Sequence, residues 1–177
     1  MLYLGRLWWQ KGLDIISDAW AAARSDEDWM LVLAGPDYRA YEQTLRARVE
    51  RLGLKSSVLI TGAIDSTLKG SLLSASECFI LPSHSEGFSM SLLEAMAAGL
   101  PSIYTTNCNF PELASNNGGW EIQCNVESLT EIIRAVTKNT TDYNKSIGKN
   151  ANNFGKNNYT SDRIAQDLLK LYKSLIN

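Results

Sequence analysis

Residues 85–101 of the chain read SEGFSMSLLEAMAAGLP, and they join two elements of different periodicity. The run before them, 77–81, is predominantly apolar and predicts a buried strand. Within 89–98 the apolar residues recur at helical spacing, and Gly99 and Pro101 then follow in the order that ends a helix. A buried strand that turns directly into a helix is the unit from which parallel α/β sheets are built.

The same alternation of strand and helix extends along most of the chain. The predicted strands are 2–5, 29–34, 58–61, 77–81, 102–105 and 120–123, and the predicted helices between them are 12–23, 41–52, 65–75 and 89–98. Strands this apolar are buried on both faces, which is typical of a parallel sheet covered by helices on both sides. We therefore predict the fold class α/β, a doubly wound, Rossmann-like parallel sheet of about six strands that binds its ligand outside the carboxyl ends of the strands.

Beyond residue 125 the sequence predicts helices alone. These are 126–137, a weaker helix with loops in the Asn-rich stretch 139–158, and an amphipathic helix over 161–176. A length of 177 residues suits one domain, so we predict an α/β core over 1–125 followed by a helical segment over 126–177. The first predicted strand begins at residue 2 with no polar residues before it, and we expect the chain to start at a domain boundary.

Composition and charge exclude several classes of protein. The formal net charge of −2 offers no basic excess to neutralise phosphates, which argues against a nucleic-acid binder. Cys78, Cys108 and Cys124 are too few and too scattered for a disulfide framework or a CxxC metal site. We see no signal peptide and no bilayer-spanning apolar run, and we expect a reduced, cytoplasmic setting.

The turn between the strand 77–81 and the next helix carries the candidate binding groups. A parallel sheet places residues 87–89 at the edge formed by the carboxyl ends of the strands, which we call the carboxyl edge, and Gly87 lets the backbone approach a ligand. The first N–H groups of the helix point outward with the positive end of the helix dipole behind them, which suits a phosphate or a sugar hydroxyl. Glu86 precedes the helix and Glu94 lies about one turn inside it, and carboxylates accept hydrogen bonds from sugar or ribose hydroxyls.

Two sequence matches identify a family that the chain resembles. The Glu-x7-Glu pair, embedded as EGFSMSLLEAMAAGLP, resembles the signature of retaining glycosyltransferase family 4, which has the GT-B fold. Residues 5–12, GRLWWQKG, resemble the Gly-Arg-x4-Lys-Gly element of the same family, and weaker matches lie at 33–35, 61–62 and 110–113. The resemblance implies that the chain is the carboxyl-terminal, donor-binding half of a GT-B fold.

The resemblance also implies roles for individual residues. The enzyme would transfer a sugar, with retention, from a nucleotide-diphosphate sugar to a glycan or a lipid-linked sugar. Glu94 would bind the donor ribose, Glu86 the donor sugar, and Arg6 and Lys11 the diphosphate. The catalytic residues implied are Glu86, Arg6 and Lys11, and the binding residues are Glu94, Gly87, Phe88, Ser89, Met90, Gly5, Gly35 and Gly62.

No cofactor or metal is expected. The family does not hold the diphosphate through a metal, and no Asp-x-Asp cluster follows a predicted strand. The resemblance implies that the amino-terminal domain, which supplies the acceptor site in the family, lies outside this sequence, and membrane attachment through that domain, at the inner face, is left open. The chain also departs from the family pattern, with Ser89 where many members have glycine, and with Asn107 to Phe110 replacing a glycine-rich approach to Pro111.

Simpler interpretations compete with these roles. Ser91-x-x-Glu94 is also the pattern of a helix capping box, and Glu86, Arg6 and Lys11 could each be solvated surface charges. As a whole, the chain could be a Rossmann-like module that binds a nucleotide or phosphate without chemistry, or a sugar-nucleotide epimerase. It contains no GxGxxG fingerprint and no Walker A loop, and the sequence leaves the base of the donor open among UDP-, GDP- and ADP-sugars.

Overall fold

The computed structural model describes residues 1–23 and 28–176, and its centre is a six-stranded parallel sheet. The strand order is β3-β2-β1-β4-β5-β6, and every neighbouring pair is parallel. The strands are β1 (Leu2–Leu4), β2 (Leu31–Ala34), β3 (Val58–Gly62), β4 (Phe79–Leu81), β5 (Ser102–Thr105) and β6 (Gly119–Ile122). All residues of β1, β4 and β5 are buried, so the apolar runs in the sequence correspond to strands covered on both faces.

Helices cover the sheet on both faces. The α-helices of the described residues are α1 (Leu13–Ala23), α2 (Tyr41–Arg51), α3 (Ser66–Ala75), α4 (Met90–Ala97), α5 (Pro111–Ser115), α6 (Val126–Lys138), α7 (Thr141–Asn158) and α8 (Ser161–Ile176). The strands β1 to β3 follow one another in one direction along the sheet, and the strands β4 to β6 follow in the other. Because crossover connections between parallel strands are right-handed, the helices that connect the first three strands lie on one face and those that connect the last three lie on the other. In agreement, α1 packs against α2 and α6, whereas α4 packs against α7. The predicted fold class is confirmed.

The prediction of a weak helix with loops over 139–158 is wrong. The structure has one continuous helix there, α7, whose start is capped by the Thr140 side chain, which accepts a hydrogen bond from the Tyr143 N–H. Inside the helix, the buried Asn144 donates to the Val136 carbonyl. Gly148 lies so close to α4 that an added Cβ would stand 1.9 Å from the Gly99 carbonyl oxygen. Tertiary packing therefore overrides the low helix propensity of this Asn- and Gly-rich segment.

The last helix, α8, stands apart from the core. None of its 16 residues is buried, although its apolar stripe matches the sequence prediction, and the side chains of Ile164, Leu168, Leu171 and Leu175 are all exposed. None of the helices in the described part of the chain is both long and apolar enough to cross a membrane.

Candidate active site

The strand order reverses between β1 and β4, and this opens a crevice at the carboxyl edge of the sheet. The segment that follows β1 carries Lys11, and the segment that follows β4 carries Glu86. Their side chains meet across the crevice, where the Lys11 Nζ donates to the Glu86 Oε1 at 2.6 Å. The side chains are only 17% and 10% exposed, so neither is the solvated surface charge that the simpler interpretation proposed.

A tight turn holds Lys11 against the segment that follows β4. Residues Trp9–Lys11 form a single 3-10 turn, which Gly12 ends in the left-handed conformation with φ +70°. A Cβ on Gly12 would lie 1.9 Å from the Pro82 carbonyl oxygen, so only glycine allows this approach. The His84 N–H also donates to the Gln10 carbonyl at 2.8 Å. The two loops that carry the ion pair are therefore fixed to each other through their backbones.

Glu86 is held by residues that the sequence analysis did not select. Its Oε1 also accepts a hydrogen bond from the Ser83 hydroxyl at 2.7 Å, and its backbone N–H donates to the Asn107 carbonyl at 3.0 Å. The Asn109 side-chain amide donates to the Glu86 carbonyl at 3.1 Å, and Asn109 itself is left-handed, with φ 52°. Asparagine tolerates that conformation better than most residues. Asn107 and Asn109, which stand where the family has a glycine-rich segment, thus fix the backbone of Glu86. The only signal of this role in the sequence was that the segment differs from the family pattern.

The start of α4 is open to a ligand. Ser89 is its N-cap, and the Ser89 Oγ accepts from the Leu92 N–H at 3.3 Å, so the competing interpretation of Ser91 and Glu94 as a capping box does not apply. Within the described residues, the backbone N–H groups of 87–91 have no hydrogen-bond acceptor. An added Cβ on Gly87 would meet no atom within 4 Å, and Phe88 and Met90 are 53% and 63% exposed. A free row of donors at a helix start is an anion-binding arrangement.

Glu94 has a lysine partner of its own. The Lys69 Nζ, on α3, donates to the Glu94 Oε1 at 2.7 Å, and the two side chains are 38% and 35% exposed. Glu94 is therefore part of an ion pair that joins two helices, while Glu86 belongs to a separate pair with Lys11. The sequence analysis missed Lys69, because no motif or spacing relates a residue of α3 to one of α4.

Arg6 is exposed and lies over an aromatic ring. Its guanidinium carbon is 5.2 Å from the Tyr38 ring centroid, and no carboxylate in the described part of the chain pairs with it. Trp8 packs edge-on against Tyr38 at 5.3 Å, whereas the neighbouring Trp9 is 50% exposed beside the His84 ring. The loop after β1 therefore offers one unpaired cation, Arg6, next to the partly neutralised Lys11.

The predicted glycines Gly5, Gly35 and Gly62 line the carboxyl ends of β1, β2 and β3. A Cβ on Gly35 would lie 1.9 Å from the Gly5 carbonyl oxygen, and the Gly35 N–H donates to the Gly62 carbonyl at 2.9 Å. Beside Gly5, the Tyr3 hydroxyl donates to the Arg6 carbonyl at 2.8 Å, and burial raises the pKa of Tyr3, which keeps that donor protonated. These contacts give the glycines a packing role, and contact with a ligand stays a prediction.

Within the described residues, His84 has a hydrogen-bond partner on one ring nitrogen, and the buried Asp14 Oδ1 near its other nitrogen has none. Its Nδ1 is 3.4 Å from the Cys124 sulfur, and its Nε2 is 3.7 Å from the Asp14 Oδ1.

Burial raises the pKa of Cys78 to about 12 and that of Cys108 to about 11, so these two thiols stay protonated. No group of three or more His, Cys, Asp or Glu side chains suited to a metal occurs within residues 1–23 and 28–176.

The crevice is therefore equipped for ligands that carry both phosphate and hydroxyl groups. Unpaired backbone N–H groups and Arg6 suit an anion, and carboxylates beside that anion suit hydroxyls. At the switch point of a doubly wound sheet, this combination is typical of α/β domains that bind nucleotides.

The comparison with known families agrees with this class. A family model described as Glycosyl transferases group 1 matches residues 1–154, and the chain belongs to this family. Two bacterial mannosyltransferases are among its curated relatives. The GDP-mannose:cellobiosyl-diphosphopolyprenol alpha-mannosyltransferase of Xanthomonas oryzae pv. oryzae is 34% identical over 67% of this chain and 31% of its own length. The lipopolysaccharide core biosynthesis mannosyltransferase LpsB of Rhizobium meliloti is 29% identical over 97% of this chain and 50% of its own.

Solved structures show the same fold. Anabaena HepE in complex with UDP-glucose superposes with a TM-score of 0.84 at 23% identity, over 98% of this chain and 48% of that one. This chain thus spans between about a third and about a half of the length of the proteins named here.

Proposed function

We propose that the chain is the donor-binding half of a retaining glycosyltransferase of family 4. The observation that carries the proposal is the Lys11–Glu86 pair at the switch point, beside the open start of α4. The donor would be a UDP-, GDP- or ADP-sugar. The acceptor would be a glycan or a lipid-linked sugar, as the names of the two mannosyltransferase relatives suggest. A cytoplasmic location, with attachment to the inner membrane face through an amino-terminal acceptor domain, belongs to the same proposal.

The mechanism assigns the leaving diphosphate to cations and backbone donors. As the sugar departs, negative charge collects on the diphosphate, where Arg6, Lys11 and the N–H groups at the start of α4 stabilise it. Lys11 uses one of its three N–H donors on Glu86, so two remain for phosphate oxygens. The acceptor hydroxyl then approaches the same face of the sugar, through an ion-pair-like transition state. Its oxygen bonds to the anomeric carbon as its proton passes to the departing diphosphate oxygen, which gives retention.

Glu86 favours a transferase over a simple phosphate-binding module. A carboxylate beside an anion site repels phosphate, and a module that binds only phosphate would do better without it. The Oε1 of Glu86 is taken by Lys11 and Ser83, which leaves its second oxygen for hydroxyls of the donor sugar. An epimerase would bind the same donor, and a turnover assay that follows both the released nucleotide and the sugar product separates it from a transferase.

The proposal is tested by titrating the chain with UDP, GDP, ADP and their sugars in a calorimeter. We expect one base to be preferred and its sugar conjugate to bind at the same site. Absence of binding to all three nucleoside diphosphates would contradict the proposal.

Glu94→Gln should weaken binding of the preferred nucleoside diphosphate by about 1–3 kcal/mol, because a hydrogen bond to a charged acceptor is lost. Folding should change little, since the Lys69 and Glu94 side chains are 38% and 35% exposed and solvent screens much of their interaction. Calorimetry on the variant checks this, and unchanged affinity for every nucleotide would rule out a ribose role for Glu94.

Arg6→Ala should weaken a nucleoside diphosphate about 10- to 100-fold and the matching nucleoside hardly at all, because the lost contact is to phosphate. Lys11→Ala should show the same selectivity, with an added loss of stability since the mostly buried Glu86 would lose its cation. Arg163→Ala, on the exposed helix α8, is the control. Equal losses for nucleoside and diphosphate would mean that Arg6 and Lys11 act through structure alone.

Diphosphate binding should survive a chelator. Arg6, Lys11 and the start of α4 would hold the phosphates without a divalent cation. The dissociation constant for the preferred nucleoside diphosphate is measured in excess EDTA and again with magnesium or manganese. A strict requirement for either metal would overturn this assignment.

A further inference from the structure

The second ion pair at the carboxyl edge, between Lys69 and Glu94, has no role in the proposal so far. Lys69 is the fourth residue of α3, and Glu94 is the fifth residue of α4. Each helix is the first α-helix after the carboxyl end of a strand, α3 after β3 and α4 after β4, so the pair lies towards that edge. The 2.7 Å bond between the Lys69 Nζ and the Glu94 Oε1 is the one hydrogen bond that either side chain makes within the described residues.

Stability does not account for this pair. Exposed ion pairs contribute about 0–1 kcal/mol, since solvent screens the charges and two long side chains lose rotamer freedom. The Lys55–Glu50 pair is of that kind, with both side chains about two-thirds exposed. The Lys69–Glu94 pair differs because one partner is the glutamate that we assign to ribose.

The chemistry of the pair matches a vicinal diol. Each ribose hydroxyl both donates and accepts a hydrogen bond, whereas a carboxylate only accepts. The second oxygen of Glu94 has no partner in the described part of the chain, and the Lys69 ammonium has two N–H donors beyond the one given to Glu94. The pair therefore offers an acceptor and a donor side by side.

Charge provides a second argument. A nucleoside diphosphate is an anion, and an unpaired carboxylate in its site would repel it. Lys11 offsets the charge of Glu86, and Lys69 offsets that of Glu94, so each glutamate of the Glu-x7-Glu pair has its own lysine.

We propose that Lys69 is a ribose-binding residue, which donates to a ribose hydroxyl while it holds Glu94 in place to accept from the diol. This inference rests on the proposed function, because it requires a nucleotide at the carboxyl edge. Lys69 and Glu94 together then distinguish a ribose with both hydroxyls from one that lacks them.

The test compares UDP, GDP and ADP with their 2′,3′-dideoxy counterparts by calorimetry. The proteins are the unaltered chain, Lys69→Met, Lys69→Arg, Glu94→Gln and, as the matched control, Lys55→Met. Lys69→Met should weaken both forms, because Glu94 loses the cation that offsets its charge, and it should weaken the preferred ribonucleotide about 5- to 10-fold more than the dideoxy form, as expected for one lost hydrogen bond of moderate strength. Lys69→Arg should restore part of the loss, and Lys55→Met should change neither ligand. Thermal melts of each variant verify that the fold is intact.

The outcomes separate this inference from the proposed function. If Lys69→Met leaves ribonucleotide affinity unchanged, or weakens both sugar forms equally, the role of Lys69 is overturned. If Glu94→Gln still removes the preference for the diol in that case, the proposed function stands without Lys69. If the unaltered chain binds no nucleotide, or binds both forms equally, the inference is overturned together with the assignment on which it rests.

Discussion

Gly12→Ala should lower the free energy of unfolding by about 3–5 kcal/mol, a large part of the stability of a domain of this size. Two costs combine at this position. The left-handed conformation, φ +70°, is strained for any residue with a Cβ, and the new methyl group would lie 1.9 Å from the Pro82 carbonyl oxygen. To relieve that overlap, the turn that carries Lys11 must move away from the segment that carries Glu86. Chemical denaturation followed by circular dichroism measures the change.

Gly53→Ala is the matched control for this substitution. Gly53 has φ +69°, but an added Cβ there would meet no atom within 4 Å. It should therefore show the conformational cost alone, about 1–2 kcal/mol. Equal losses at Gly12 and Gly53 would mean that the contact between the turn and Pro82 contributes nothing to stability.

The parts of the fold that were predictable are those specified by local patterns. β5 and α8 match the predicted strand and helix at both ends, and the apolar stripe of α8 shows a clear helical period. The failure at α7 has a physical reason. Its helix depends on Asn144 and Gly148, which reach Val136 and Gly99 only in the folded chain. Likewise, the short helix α5 was not predicted, since five residues are too few to show a period.

In the candidate site, too, the features that follow from local sequence patterns were predictable, and the contacts between distant residues were not. The two glutamates and Lys11 belong to sequence motifs, and motifs locate the residues but not their partners. Lys11 and Glu86 are separated by 75 positions in sequence, and Lys69 and Glu94 by 25, so neither pair could be inferred from spacing. Ser91 at helical distance from Glu94 suggested a local cap, and the structure gives that cap to Ser89 instead.

The chain of 177 residues should bind the donor nucleotide and yet transfer sugar at less than about one-thousandth of the rate of a complete enzyme, because orientation of the acceptor supplies a large share of catalysis. Trp9, Phe88 and Met90, on the segments that follow β1 and β4, expose apolar surface. A second wall is needed to hold the acceptor hydroxyl on the same face of the sugar that the diphosphate leaves, and to exclude water. The exposed stripe of α8 offers further apolar surface on which such a wall could pack.

The measurement is a turnover assay with the preferred nucleotide sugar and a panel of glycan and lipid-linked acceptors. It is run beside a longer polypeptide in which this chain is preceded by the amino-terminal half of the Rhizobium relative, a protein of which the chain covers 50%. Donor binding should be similar in the two proteins, since Arg6, Lys11, Glu86 and Glu94 all lie within this chain. Only the longer polypeptide should form product at a useful rate. Rapid transfer by the 177 residues alone would show that they orient both substrates, and the division of labour between donor and acceptor halves would then be wrong.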